Sequence, residues 1–142
     1  MSLDWVYSLE DVDWHELSAL YKAAPLGDKP PDSLKRIFTN SMFHCFIYDA
    51  GTLIGAGRAL ADGGDCSYIC DVAVGPGHQG RGIGNDIVAK LVDLSAGHKK
   101  IILYSVPGSE PFYEKLGFKR MATAMAIFED EGSAVAKGYL EA

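Results

Sequence analysis

The sequence predicts one α/β domain over residues 1–142. It is a mixed sheet, antiparallel for most of its width and parallel at its middle, with helices on both faces. Three observations carry that prediction. A strand-like run, Tyr68 to Val74, passes through a glycine-rich loop into a helix whose apolar residues recur as far as Leu94. A second apolar run, Ile101 to Val106, comes after that helix, which completes one βαβ unit and sets two strands parallel. Ahead of this unit, Phe43 to Tyr48 and Thr52 to Ala61 read as strands joined through Asp49-Ala50-Gly51, an antiparallel hairpin. No internal repeat and no long linker divides the chain.

Each remaining element has its own local signal. Trp5 to Ser8 reads as a short first strand. Asp11-Val12-Asp13 offers capping chemistry, after which Trp14, Leu17, Leu20 and Tyr21 recur at helical spacing up to Ala24. The proline-rich stretch Pro25 to Pro31 ends that helix, and a second is expected from Asp32 or Ser33 to about Asn40 with Leu34, Ile37 and Phe38 inward. Gly55 and Gly57 mark close backbone approaches within their strand. Asp62-Gly63-Gly64-Asp65 turns the chain into the central strand. On the helix after it, Ile83, Ile87, Val88, Leu91, Val92 and Leu94 form one stripe, and Gly97 stands where the helix should end. Pro107-Gly108 breaks the next strand, and Ser109 is placed to cap a short helix that Gly117 closes. Phe118 to about Glu129 is expected to supply the last strand or two, and Glu131 to Ala142 a frayed tail.

Composition narrows the function classes. A net charge of −6 opposes nonspecific nucleic-acid binding and suits a cationic substrate such as an amine. No apolar run reaches membrane-spanning length, and Met1-Ser2-Leu3-Asp4-Trp5 lacks the basic start and apolar core of a signal peptide. The expectation is a cytoplasmic protein with no membrane partner. Cys45, Cys66 and Cys70 are too few for a disulfide scaffold and lack the spacing of a zinc site, so no metal is expected.

The strand, glycine turn and helix at Tyr68 to Ala96 have the architecture of an anion site. The first N–H groups of a helix lack intrahelical partners, and its macrodipole favours negative charge there. A P-loop reading fails, because no Lys-Ser or Lys-Thr comes after the second glycine. Gly75-Pro76-Gly77-His78-Gln79-Gly80 matches G-x-G-x-x-G, but the next strand carries no acidic residue for a ribose, and the match is accidental. The third reading is Q-x-x-G-x-G on Gln79, Gly82 and Gly84. It resembles the acetyl-CoA loop of the GNAT N-acetyltransferases. Pro111-Phe112-Tyr113-Glu114-Lys115-Leu116-Gly117-Phe118 is similar to that family's F-Y-x-x-L-G-F helix, and Asp71-Val72-Ala73-Val74 to its D-x-A-V strand end. The resemblance covers roughly Leu53 to Phe128.

This resemblance implies the GNAT fold, with a sheet splayed between the strands ending near Val74 and Val106, and pantetheine entering that gap. It implies acetyl-CoA as the cosubstrate. The implied site takes in Val72, Ala73 and Val74 on the strand, Gln79, Gly80, Arg81, Gly82, Ile83, Gly84 and Asn85 at the helix start, and Phe112. Ser109 stands in for an asparagine that many relatives carry. The two N-terminal helices wall the acceptor. The implied activity is direct acetyl transfer to the primary amine of a small molecule, with arylalkylamines as one candidate class. Alternatives are a protein N-terminal or lysine acetyltransferase, or a CoA-binding module without turnover. A homodimer is left open.

Acetyl transfer needs a deprotonated amine, a stabilised oxyanion and a proton for the leaving thiolate. Tyr113 matches the tyrosine that supplies this proton in many relatives. The base stays open. Strand alternation places Tyr68, Cys70 and Val72 on one face and Asp71 on the other. Asp71 is the carboxylate available there, as base or as structural anchor. Bulk water is an alternative base, and an acetyl-cysteine route through Cys70 ranks below direct transfer. Trp14, Tyr21, Phe38, Phe43, Tyr68 and Tyr104 are aromatic residues available to an acceptor pocket.

Overall fold

The computed structural model describes residues 2–142. The chain forms two compact units, one ending at Leu103 and the other running from Tyr104 to Ala142. The first unit contains β1 (Leu3–Val6), α1 (Trp14–Ala23), α2 (Pro31–Thr39), β2 (Phe43–Asp49), β3 (Thr52–Ala61) and β4 (Cys66–Val74). A single 3-10 turn (Pro76–His78), α3 (Ile83–Leu94) and β5 (Lys100–Ile102) complete it. Its sheet is ordered β1-β2-β3-β4-β5, antiparallel up to β4 and parallel between β4 and β5. Among the described residues no helix is long and apolar enough to cross a membrane.

Local chemistry explains the boundaries. The Asp13 carboxylate accepts from the backbone N–H of His15 and Glu16 at 3.0 and 3.2 Å, so α1 starts one residue later. α2 begins with Pro31 at its first position, where a missing N–H costs nothing. Ala50 and Gly51, at φ 49° and 83°, close the β2–β3 hairpin in the left-handed pair that such a turn requires. Asp62 accepts from the N–H groups of Gly64, Asp65 and Cys66, which folds the next turn and holds its carboxyl down at about 2.

The two sheet faces are covered differently. Leu17 and Tyr21 of α1 and Leu34 and Phe38 of α2 are buried against Phe46, Ala56 and Ala73, each large side chain contributing about 1.5–3 kcal/mol. On the other face Ile83, Ile87, Val88 and Leu91 of α3 are buried. At Gly57 α3 leaves no room for a side chain. A Cβ there would stand 2.7 Å from Ile87 Cγ2 and 3.0 Å from Leu91 Cδ1. Both neighbours are fully buried, so Gly57→Ala is expected to destabilise the protein by about 1–3 kcal/mol. A urea midpoint equal to that of the wild type would contradict this packing.

Several expectations are corrected. The first strand is Leu3–Val6, not Trp5 to Ser8, because its register is set by pairing with residues 46–49 of β2. β5 stops at Ile102 rather than Val106, since its ladder with β4 ends at the pair Tyr68–Ile102 and apolar sequence alone makes no strand. The parallel pair lies at one end of the sheet order rather than at its middle, because among the described residues no strand follows β5, and β4 runs on from Ile69 to Val74 beyond its last pairing with β5.

The second unit holds two further corrections. It contains α4 (Glu110–Glu114) and α5 (Glu131–Ala136), and among the described residues no strand forms between Phe118 and Glu129. The run from Met121 to Ile127 alternates, but its small alternate positions are alanines, which give a sheet little to pack. The tail is likewise no frayed end. Asp130 accepts from the N–H of Ser133 at 2.9 Å and caps α5, Ala134 is buried, and Phe128 stacks on Tyr139.

Candidate active site

The loop between β4 and α3 is built to leave backbone donors exposed. Gly75 N–H donates to Ile54 O at 2.8 Å, and the Gln79 side-chain amide donates to Val74 O at 3.0 Å, so both ends of the 3-10 turn are tied to the sheet. Gln79 thus holds the loop through its amide nitrogen. Gly80 and Gly82 take φ 82° and 78°, a left-handed conformation that other residues adopt at a cost of about 1–2 kcal/mol. Gly82 is the N-cap of α3, and it brings no side chain to cap the helix. The opening turn, Ile83, Gly84 and Asn85, therefore presents N–H groups without a side-chain cap at the positive end of the helix dipole. Gly80, Arg81 and Gly82 are exposed beside it, whereas the Ile83 side chain is buried and anchors the helix. This turn can hold an anion such as a pyrophosphate.

Before that loop, β4 carries a bulge. Ala56 pairs with Ala73 and Arg58 with Cys70, so two residues of β4, Asp71 and Val72, lie opposite Gly57 alone. Asp71 has φ 56°, a left-handed value for a residue that is not glycine. The bulge corrects the alternation expected for this strand. Val72 Cγ2 faces Gly57 on the α3 side, 3.4 Å from where a Cβ would be, while Ala73 belongs to the α1–α2 core. Val72 therefore shares no face with Cys70. With the Ala73 side chain buried, this residue can meet a ligand only through its backbone.

Asp71 sits in a cluster that sequence reasoning missed. Arg58 Nε donates to Asp71 Oδ2 at 2.7 Å, Lys29 Nζ lies 3.4 Å from Oδ1, and Tyr21 Oη donates to the Asp71 carbonyl at 2.6 Å. Arg58 also donates to Ser41 Oγ at 3.2 Å. A signal was present, since Arg58 is the one charge in the apolar run Gly55-Ala56-Gly57-Arg58-Ala59-Leu60 and a half-buried charge needs a partner. Cys70 adjoins this cluster. Burial pushes its thiol up to about 11 against the pull of Arg58.

Of the aromatics expected near the acceptor, Tyr21 and Phe38 are fully buried and pack on each other 6.4 Å apart, with Trp14 against Phe38. These two are core, because α1 and α2 use them to cover the sheet.

In the second unit Tyr113 is half-buried between Phe112 and Phe118, edge-on to both at 4.9 and 6.0 Å, and burial raises its phenol above the ordinary value. Ser109 occupies the N-cap of α4 but makes no capping bond there. Glu110 accepts from the Gly108 N–H instead, at 2.9 Å. Gly117, at φ 97°, ends the helix as expected, with Phe118 N–H returning to Tyr113 O.

Residues 7–118 match the sequence profile of the Acetyltransferase (GNAT) family. The chain is 34% identical over 84 residues to a rice protein (Oryza sativa subsp. japonica) named "Probable glucosamine 6-phosphate N-acetyltransferase 2", covering 58% of this chain and 51% of that one. It is 37% identical over 120 residues to an uncharacterized N-acetyltransferase of Porphyra purpurea, covering 80% of this chain and 69% of the other. The chain thus spans about half the length of several curated relatives it matches. A GNAT-family acetyltransferase of Streptococcus pneumoniae TIGR4 has the same fold, with a TM-score of 0.76 at 20% identity over 92% of this chain and 100% of that one. Since one profile match takes in the strand, the glycine loop and the F-Y-x-x-L-G-F segment together, the chain belongs to the GNAT acetyltransferase family.

Proposed function

We propose that this protein transfers the acetyl group of acetyl-CoA directly to the primary amine of a small molecule. The observation that carries the reading is the opening turn of α3, whose N–H groups have no side-chain cap and lie behind the left-handed Gly80 and Gly82. Such a turn suits the pyrophosphate of CoA, and the family uses acetyl-CoA. Bound there, the cosubstrate supplies an activated thioester carbonyl. Gln79 and Gly75 hold the loop, Arg81 adds positive charge, and the β4 bulge supplies backbone groups to the acyl end. Asp71 is the proposed carboxylate for the amine proton. Its two oxygens face Arg58 and Lys29, which compensate its charge and orient it. Tyr113 is the proposed proton donor to the leaving thiolate. The high thiol pKa of Cys70 leaves little thiolate near neutrality, which favours direct transfer over an acetyl-cysteine.

A second reading of the acceptor has its own support. Lys29 and Arg58 outnumber Asp71 in this cluster, and the rice relative is named for glucosamine 6-phosphate, so an amine that also carries an anionic group is favoured beside an apolar or aromatic one. The test is a panel of amines with acetyl-CoA, read as thiol release. It should include arylalkylamines, glucosamine 6-phosphate, aminoglycosides and lysine peptides. Turnover on a small amine is expected, with a rate that rises with pH through the neutral range as an ammonium of pKa about 10 loses its proton. Faster acetylation of polycations or of protein lysines would reject the small-amine reading. Tight CoA binding without turnover on any amine would identify a binding module.

A further inference from the structure

Asp71 holds its left-handed conformation at the first position of the β4 bulge. A left-handed non-glycine residue is strained, and it persists only where its surroundings over-determine it. Here three elements converge on it. Tyr21 of α1 bonds its carbonyl, Arg58 of β3 bonds its carboxylate and Lys29 from the α1–α2 connection completes the cluster. Two of these contacts compensate charge. The third does not. The Tyr21 hydroxyl reaches 2.6 Å to the peptide carbonyl of Asp71 from a ring that is fully buried and braced by Phe38. A phenol fixed at both ends in this way sets the position of one peptide plane of β4. That plane belongs to the bulge, where the extra residue leaves the β3 ladder and its backbone donors become available to something else.

We propose that Tyr21 is a positioning residue, whose hydroxyl holds the Asp71 peptide in the left-handed bulge so that the backbone donors freed there meet the carbonyl of the acetyl group. The inference rests on the acetyl-transfer reading and adds to it a residue outside the glycine loop and the F-Y-x-x-L-G-F segment. The hydroxyl touches no reacting atom and acts only through Asp71. Preorganised donors at a developing oxyanion are worth about 10²–10³ in rate when one is deleted, and loosening them costs less.

The test is Tyr21→Phe, which keeps the ring in the core and removes the one bond. Three readouts are taken. The first is the Asp71 backbone in the ligand-free protein, from its HN–Hα coupling and Cα shift. The second is the carbonyl resonance of bound [1-13C]acetyl-CoA, and the third is kcat with KM for acetyl-CoA on the best amine of the panel. The variant is expected to fold, to lose the left-handed signature at Asp71, and to return the carbonyl resonance towards its free position. It should lower kcat about tenfold with KM little changed. Tyr21→Phe/Asp71→Asn should regain part of the carbonyl shift, because asparagine tolerates the left-handed backbone better. Should the single variant not fold, the double variant is compared with Asp71→Asn alone: the tether predicts a residual difference between the two resonances, and their coincidence overturns it. A folded Tyr21→Phe protein with an unmoved carbonyl resonance and an unmoved kcat overturns the inference, whatever happens at Asp71. A wild-type protein that binds no acetyl-CoA overturns the acetyl-transfer reading instead, and the two failures are told apart by calorimetry on the wild type.

Discussion

Gly82→Val is expected to weaken CoA binding by about 100-fold or more while leaving the fold in place. Two physical effects act at the same position. Gly82 has φ 78°, which a β-branched residue adopts only under strain, so the N-cap should shift and disorder the first turn of α3. Nothing lies within 4 Å of a Cβ built there, so the valine clashes with no core atom and the sheet is spared. Gly82 directly precedes the first-turn N–H groups, and a branched side chain there would obstruct the proposed pyrophosphate site. Each charge-assisted hydrogen bond lost costs about 1.5–3 kcal/mol, and losing two accounts for the expected factor. Calorimetry with CoA on the folded variant gives the answer. Affinity equal to the wild type would move the phosphate site away from this loop. Gly80→Ala should fall between, because alanine brings the left-handed strain with a smaller obstruction.

The parts of the fold that the sequence makes legible are those decided by local chemistry. Asp13 announces the start of α1 because its carboxylate can satisfy the first N–H groups, and the apolar run from Thr52 to Ala61 announces β3 because it resumes directly after the turn at Asp49-Ala50-Gly51. The glycine loop is legible for the same reason, since only glycine takes φ near 80° at low cost. Pairing is what propensity does not contain. Tyr104, Ser105 and Val106 continue an apolar run, yet β5 stops at Ile102 where its ladder with β4 stops. Residues 121–127 have an alternating pattern and no partner strand among the described residues. The polar tail hid a helix, although Asp130 and Ser133 stand at the spacing of a cap.

The candidate site is legible where a motif carries it and opaque where tertiary contacts do. Gln79, Gly82 and Gly84 follow from sequence order alone. The bulge at Asp71 does not, because strict alternation assigns Val72 to the face of Cys70, and one extra residue reverses that assignment. Tyr21 reads in the sequence as a candidate for the acceptor pocket because aromatic residues at helical spacing have two uses. Its complete burial and its bond to a β4 carbonyl place it in the core instead.

Tyr113→Phe is expected to lower kcat by about 100-fold with CoA affinity little changed, if Tyr113 protonates the leaving thiolate. The substitution isolates the hydroxyl. The ring packs edge-on against Phe112 and Phe118, and phenylalanine keeps both contacts, so stability should move little. The direction of the titration shift is consistent with the role. Burial raises the Tyr113 phenol above its ordinary value near 10, so the group stays protonated and able to donate throughout the neutral and mildly alkaline range. Two profiles therefore separate an acid from a packing residue. In the wild type the rate should rise with pH as the acceptor amine deprotonates, with no fall from loss of the phenol proton in the neutral and mildly alkaline range. In the variant the curve should keep its shape and drop as a whole, because water replaces the phenol as proton source at every pH. An undiminished kcat in the folded variant would make Tyr113 a residue of the aromatic cluster alone. A lower kcat with a proportionally higher KM for acetyl-CoA would assign its hydroxyl to binding and leave the thiolate to be protonated by solvent.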